Sequence, residues 1–119
     1  MNKGEITKRF NKLLFDFFKD IITTYPNVKI FNELRIQLRL ALMADEKIAI
    51  KQFYDQLVKE YKNKIMKEDD DFFLTFDLSG TVLENLNSLK DIWSNSNEDN
   101  KKKLWKYVKI LTILSEKVN

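Results

Sequence analysis

The scarcity of glycine and proline limits the folds open to this chain more than any other feature of its sequence. Only Gly4, Gly80 and Pro26 represent these two residue types among the 119 residues. Folds rich in tight turns depend on them, because glycine reaches positive φ angles and proline presets a turn-compatible φ. A β-sandwich or a dinucleotide-binding α/β fold would need many such turns. The sequence therefore predicts helices joined by few connections.

The length and composition predict one folded domain over residues 1–119. A chain of 119 residues is close to the commonest domain size and can enclose one hydrophobic core. Hydrophobic residues make up 44% of the chain and aromatic residues 13%, which is enough apolar material to fill that core. The 21 basic and 18 acidic residues nearly balance, so net charge alone does not indicate nucleic-acid binding.

Apolar residues recur at three- and four-residue steps, the spacing of one buried helical face. The clearest case is residues 5–24, which end at Tyr25-Pro26 and place Phe15 off the main apolar stripe. The stripe itself consists of Ile6, Phe10, Leu13, Leu14, Phe17, Phe18, Ile21 and Ile22. This segment is predicted to be the first helix.

The same spacing predicts four further helices, with Asp45 as a cap before the third and Ser96 paired with Asp99 before the last. Their predicted ranges are 28–43, 46–66, 81–93 and 97–117, and residues 67–80 are predicted to connect the third to the fourth. The expected fold is all-α, an irregular antiparallel bundle of about five helices. In the second helix Ile30, Ile36 and Leu40 widen the apolar arc, which favours contacts on two sides or self-association.

The absence of cysteine and histidine excludes disulfides, zinc-finger sites, cysteine nucleophiles and histidine bases. The remaining acids, lysines and tyrosines follow no recognised catalytic spacing, and no glycine-rich phosphate loop occurs. The sequence therefore predicts a non-enzymatic protein with no catalytic, cofactor or metal site. No apolar run reaches the length of a membrane span or a signal-peptide core, so an intracellular protein without a membrane partner is expected.

Two clusters lie in the predicted connection. The acidic run at 68–71 could attract a divalent cation, but it lacks the alternating ligands and the glycine of a calcium loop. It is interpreted as a solvated helix terminus in which Asp71 caps a turn. Phe72, Phe73 and Leu74 follow it and either plug the open end of the bundle or form a partner-binding patch.

Lysines concentrate on the outer side of the last predicted helix and, together with Arg9, on the first. If the two helices pack side by side, their charges could merge into a phosphate-binding surface for nucleic acid. Acidic residues intersperse both regions, so an ordinary solvated face is the competing interpretation. The candidate nucleic-acid contacts on the last helix are Lys101, Lys102, Lys103, Lys106 and Lys109.

Three segments resemble short, uncharacterised helical proteins of nucleocytoplasmic large DNA viruses, the giant viruses. They are DFFL at 71–74, LKDIW at 89–93 and LWKYVKILTILSEK at 104–117. The resemblance covers the C-terminal half best, and it implies a viral protein in the cytoplasm of the host cell or packaged in the virion. It supplies no catalytic residues.

Three functional hypotheses follow. The first is a protein–protein interaction or structural module that binds a protein partner or itself through residues 72–74 or an exposed side of the second helix. The second is a nucleic-acid-associated protein that uses the lysine faces. A weaker third hypothesis is a regulatory or inhibitory protein that copies a host helical fold.

Overall fold

Helices account for nearly all the regular structure in the computed structural model, which describes residues 1–119 and confirms the all-α prediction. No strand is present. The α-helices are α1 (Lys3–Thr24), α2 (Ile30–Ala44), α3 (Ile48–Phe53), α4 (Lys59–Met66), α5 (Asp71–Thr75), α6 (Leu89–Trp93) and α7 (Glu98–Val118), with a π-helical turn at Tyr54–Val58 and a 3₁₀ turn at Glu84–Ser88.

The two longest helices, α1 and α7, pack against each other and form the frame of the bundle. They run antiparallel, because residues late in α1 meet residues early in α7. The Phe17 ring stacks on Tyr107 with 4.9 Å between ring centres, whereas Thr24 and Asn100 line the same cleft one or two turns further along. The remaining helices cover one side of this pair.

Asparagine side chains cap both long helices. The Asn2 carbonyl oxygen accepts a hydrogen bond from the Glu5 amide at 2.9 Å, and Asn97 does the same for the Asn100 amide at 2.8 Å. The prediction that Ser96 caps the last helix was therefore wrong. The Ser96 hydroxyl instead donates to the Ile92 carbonyl and pairs with the Tyr25 hydroxyl, which joins the end of α1 to the loop before α7.

The predicted third helix, 46–66, begins two residues later than expected and contains an irregularity. The Asp45 carboxylate accepts from the Lys47 amide at 3.0 Å and shapes the connection, so α3 begins only at Ile48. Between α3 and α4 the Lys59 amide donates to the Tyr54 carbonyl, an i to i+5 bond. The extra residue in this turn rotates the α4 side chains relative to those of α3.

The region from 67 to 93 departs most from the prediction. Residues 71–75 form the short helix α5 rather than part of a plain connection, and the predicted fourth helix over 81–93 is an α-helix only at its end. Its first part is a turn followed by 3₁₀ structure. Polar side chains hold this backbone in place: Asn87 accepts from the Leu78 amide at 2.9 Å and Gln52 accepts from the Val82 amide at 2.9 Å.

The buried apolar side chains form one continuous core of 28 residues. Its aromatic part lies where α5, α6 and the middle of α7 meet, with Phe73, Trp93 and Trp105 in mutual contact. None of the helices combines the length and the apolar character that spanning a bilayer requires.

Candidate functional site

The outer face of α2 carries three of the four most exposed large apolar side chains in the chain. Ile36 is 63% exposed, Leu40 62% and Met43 79%. These residues stand four and three positions apart, so they form one stripe along the helix. We call Ile36, Leu40 and Met43 the α2 stripe.

The inner face of α2 is buried in the core. Phe31, Leu34 and Leu38 are completely buried against α1 and the 3₁₀ turn at Glu84–Ser88. α2 therefore has more apolar surface than one bundle can cover. The sequence indicated this through its wide apolar arc, and Ile36 and Leu40 were part of that prediction.

One edge of the α2 stripe is basic. Arg35 and Arg39 lie on the side of α2 that faces α1, and the Arg39 guanidinium is 5.8 Å from the centre of the Phe15 ring. At that distance the ring and the cation attract each other, which orients the arginine. Leu42 and Phe15 extend the apolar surface beneath it as half-buried side chains.

The other edge of the stripe is polar and carries no basic group on α2. Asn85 donates a hydrogen bond to the Gln37 side chain at 3.0 Å, and Glu33 stands one turn earlier on the same edge. The surface is therefore asymmetric, with an apolar centre, a basic edge and a nearly neutral edge. Sequence reasoning missed this asymmetry, although the order Arg35, Ile36, Arg39, Leu40 contains its signal.

The structure corrects the expectation that Phe72 and Phe73 form a partner-binding patch. Both rings are only 1% exposed, and Phe73 stacks on Trp93 with 4.0 Å between ring centres. They plug the end of the bundle, which was the alternative interpretation. Only Leu74, at 53% exposure, points outward from this segment.

Two of the five candidate lysines already have partners. The Lys101 ammonium lies 5.2 Å from the centre of the Trp93 ring, and Lys109 donates to the Glu68 carboxylate at 2.9 Å. Each of these contacts draws the lysine toward the α4–α6 side of the molecule. Each contact would compete with a phosphate for the ammonium group.

The other three lysines are exposed on neighbouring parts of α7. Lys103 and Lys106 line a shallow cleft against α1 together with the acidic Asp20, and Lys102 stands one turn before Lys106. α1 and α7 do pack side by side, as the merged surface required, but a carboxylate stands in their shared cleft. Lys102, Lys106 and Lys109 share one side of α7, but Lys109 is paired with Glu68 and Asp20 stands beside Lys106, so acids offset part of this positive charge.

The acidic run ends α4, in line with its interpretation as a helix terminus. Glu68 adopts a positive φ of 54°, and the Asp69 amide donates back to the Lys64 carbonyl at 2.9 Å, a Schellman-type ending. The cap of α5 differs from the expected one, because the Asp69 carboxylate, not that of Asp71, accepts the backbone hydrogen bond. The Asp71 carboxylate pairs with Lys64, whose pKa is raised by that hydrogen bond.

Comparison with protein-family models, curated proteins and solved structures finds no match for this chain. The resemblance to giant-virus proteins stays a prediction.

Tyr107 is the one tyrosine with a clearly shifted ionisation. Partial burial, reinforced by the hydrogen bond that its hydroxyl donates to the Asp20 carboxylate, raises its pKa from 10.0 to about 12. The contact ties α7 to α1 in the same place as the stacked Phe17 ring. A charged tyrosinate here would face Asp20 and Asp16, which would weaken this junction.

We therefore expect the free energy of unfolding to fall as the pH rises from about 10 to about 12. The folded state holds the Tyr107 proton more tightly than the unfolded state, so its stabilising contribution is complete below pH 10.0 and is lost above about 12. A pH titration of tyrosinate absorbance should show one of the four tyrosines ionising later than the others. That late component should vanish in Tyr107→Phe and persist in Tyr54→Phe. If all four tyrosines ionised together near pH 10.0, this would contradict the raised pKa of Tyr107.

Proposed function

We propose that this chain is a non-enzymatic protein–protein interaction module whose binding surface is the α2 stripe with its two edges. The observation that carries the proposal is the exposure of Ile36, Leu40 and Met43 in one row on a rigid helix. Scattered exposed apolar residues are ordinary, whereas a contiguous row with a polar rim is typical of an interface.

The composition of the surface supports the same conclusion. Interface hot spots are rich in arginine and aromatic residues, with apolar neighbours that exclude water around them. Arg39, Phe15 and the α2 stripe combine these types in one place. An amphipathic helix that lies along a neighbouring apolar row is a recurring mode of peptide recognition, and two turns of stripe suit it.

The nucleic-acid hypothesis has weaker support. Two of its five lysines are engaged in contacts within the chain, and Asp20 lines the cleft that Lys103 and Lys106 share. Phosphate binding gains from several cations that act on one backbone, and here Asp20 and Glu68 offset part of that charge. The hypothesis is kept as an outcome of the experiment that tests the interface.

The test replaces two stripe residues with a polar residue that favours helices, in the variant Ile36→Gln/Leu40→Gln. The tagged protein is used for capture from its native or infected cells at low and at high salt, and the captured protein and nucleic acid are both quantified. We expect a defined protein to remain bound at high salt and to be lost by at least about thirtyfold from the variant. Full burial of such a side chain contributes roughly 1.5–3 kcal/mol. Ile36 is 63% and Leu40 62% exposed, so the pair gains at least about 2 kcal/mol on binding, and 1.4 kcal/mol is a factor of ten.

The matched control is Leu74→Gln, which changes a comparably exposed leucine on another side of the molecule. It should retain the partner. Light scattering of both variants and of the original chain shows whether the partner is a second copy. Recovery of nucleic acid at low salt only, with loss in Lys102→Glu/Lys106→Glu but not in the α2 variant, would contradict the proposal and support the lysine faces.

A further inference from the structure

The arginines beside the α2 stripe stand apart from the other charges of the molecule. All five salt bridges within the chain use lysine as the cation, and none involves Arg35 or Arg39. These are two of only three arginines in the sequence. Their guanidinium groups are exposed, and Arg39 is already oriented by Phe15. Both therefore have donors free for a carboxylate from outside.

The neighbouring part of α1 adds to this positive charge. Lys12 and Lys19 stand three residues before and four residues after Phe15, so they lie on the same side of α1 as that ring. Both are exposed. The Asp16 carboxylate lies 3.8 Å from Lys12, which leaves Lys19 and the two arginines without a compensating acid along this edge.

From this asymmetry we propose that the occupant of the α2 stripe is an acidic amphipathic helix of a partner protein. The inference rests on the proposed function and names the chemistry of the partner. Its apolar side chains cover Ile36, Leu40 and Met43, and its carboxylates lie along the edge formed by Arg35 and Arg39. Arginine suits this role because its planar fork of donors matches a carboxylate in a two-point hydrogen bond.

The same charges disfavour a second copy of this chain as the occupant. Antiparallel pairing of two α2 helices about a twofold axis would place the arginine edge of one copy beside the arginine edge of the other. Parallel pairing would place that edge beside Glu33 and Gln37, which offer one carboxylate for two guanidinium groups. Like charges therefore oppose the antiparallel pair, and the parallel pair leaves one guanidinium of each edge without a carboxylate.

The length of the stripe fixes the size of the partner segment. Ile36 and Met43 are seven residues apart, which corresponds to about 10.5 Å along the helix at 1.5 Å per residue. A partner helix needs two to three turns to cover it, with apolar residues at positions i, i+3 or i+4, and i+7. Its glutamates or aspartates should then flank one side of that row.

The test uses a displayed library of helical peptides with leucine at those apolar positions. The flanking positions vary among Glu, Gln and Lys. The library is selected in parallel against the original chain, the charge-reversed Arg35→Glu/Arg39→Glu variant, and Lys102→Glu/Lys106→Glu, which makes the same charge change on α7. Circular dichroism establishes whether each variant is folded. If charge reversal unfolds the chain, the neutral variant Arg35→Gln/Arg39→Gln replaces it in the selection.

We expect glutamate to be enriched at the flanking positions with the original chain and with the α7 control. The Arg35→Glu/Arg39→Glu variant should select lysine at those positions. The Arg35→Gln/Arg39→Gln variant should enrich neither glutamate nor lysine there. Peptides selected on the original chain should bind the charge-reversed variant at least about tenfold more weakly. If the original chain and the charge-reversed variant selected the same flanking residues, the proposal of an acidic partner helix would be overturned.

A different result is expected if the α2 stripe is not the binding surface at all. If the selected peptides bind Ile36→Gln/Leu40→Gln as well as the original chain, the α2 stripe is not the binding surface and the proposed function falls with it. A dimer in light scattering that the same variant abolishes would keep the interface but replace the acidic helix with a second copy.

Discussion

Replacement of Phe73 with alanine is expected to lower the free energy of unfolding by about 3–5 kcal/mol, the usual cost of truncating a buried aromatic residue. The Phe73 ring is 1% exposed and stacks on Trp93 at 4.0 Å, with Trp105 edge-on at 4.7 Å. Its removal would leave a void between the Trp93 and Trp105 rings at the junction of three helices. Small domains are stable by about 5–15 kcal/mol, so much of that stability would be lost.

The adjacent residue provides the control. Leu74→Ala also truncates an apolar side chain of the same helix, although a smaller one, but Leu74 is 53% exposed, so the loss should stay within about 0.5 kcal/mol. Urea denaturation followed by circular dichroism measures both values. Equal effects of the two substitutions would show that Phe73 is not buried in solution, and the partner-patch interpretation of residues 72–74 would then return.

Leu38→Ala in α2 is expected to cost about 2–5 kcal/mol, whereas Leu40→Ala should change the stability by less than about 0.5 kcal/mol. The two leucines are two positions apart in one helix, but Leu38 is completely buried and Leu40 is 62% exposed. The substitution is chemically identical in both cases. The difference between them therefore measures how much of the apolar surface of α2 the fold uses.

Chemical denaturation of the purified chain gives this difference directly. If Leu40→Ala is as destabilising as Leu38→Ala, the outer face of α2 is covered in solution, and self-association is then the first cause to examine by light scattering. If both effects are small, α2 does not pack as described. A large cost at Leu38 with none at Leu40 means that the α2 stripe is free for a partner and not needed for folding.

The sequence predicted the long helices well because a buried helical face leaves a regular trace. α1 and α7 have 22 and 21 residues, and each repeats its apolar side chains every three to four positions. The prediction placed both ends of these helices within two residues. It failed between 67 and 93, where α5 and α6 are only five residues long and one turn of apolar spacing cannot define a helix.

The caps show the same limit on a smaller scale. Ser96 and Asn97 are both good N-cap residues, and their order in the chain does not decide between them. The choice depends on Tyr25, which is 71 residues away from Ser96 in sequence and engages the Ser96 hydroxyl in the folded chain. Asn97 is then left to cap α7.

The same distinction between local sequence pattern and tertiary packing applies to the candidate site. The sequence by itself determined that the chain is helical and that α2 has apolar residues around most of its circumference, since both follow from local periodicity. Only the tertiary structure decided which of these residues stay in water and that Phe72 and Phe73 are buried, because burial depends on which distant segments pack together. The basic edge of the α2 stripe was decided in the same way: Arg39 and Phe15 are 24 positions apart, and the packing of α1 on α2 brings them to 5.8 Å.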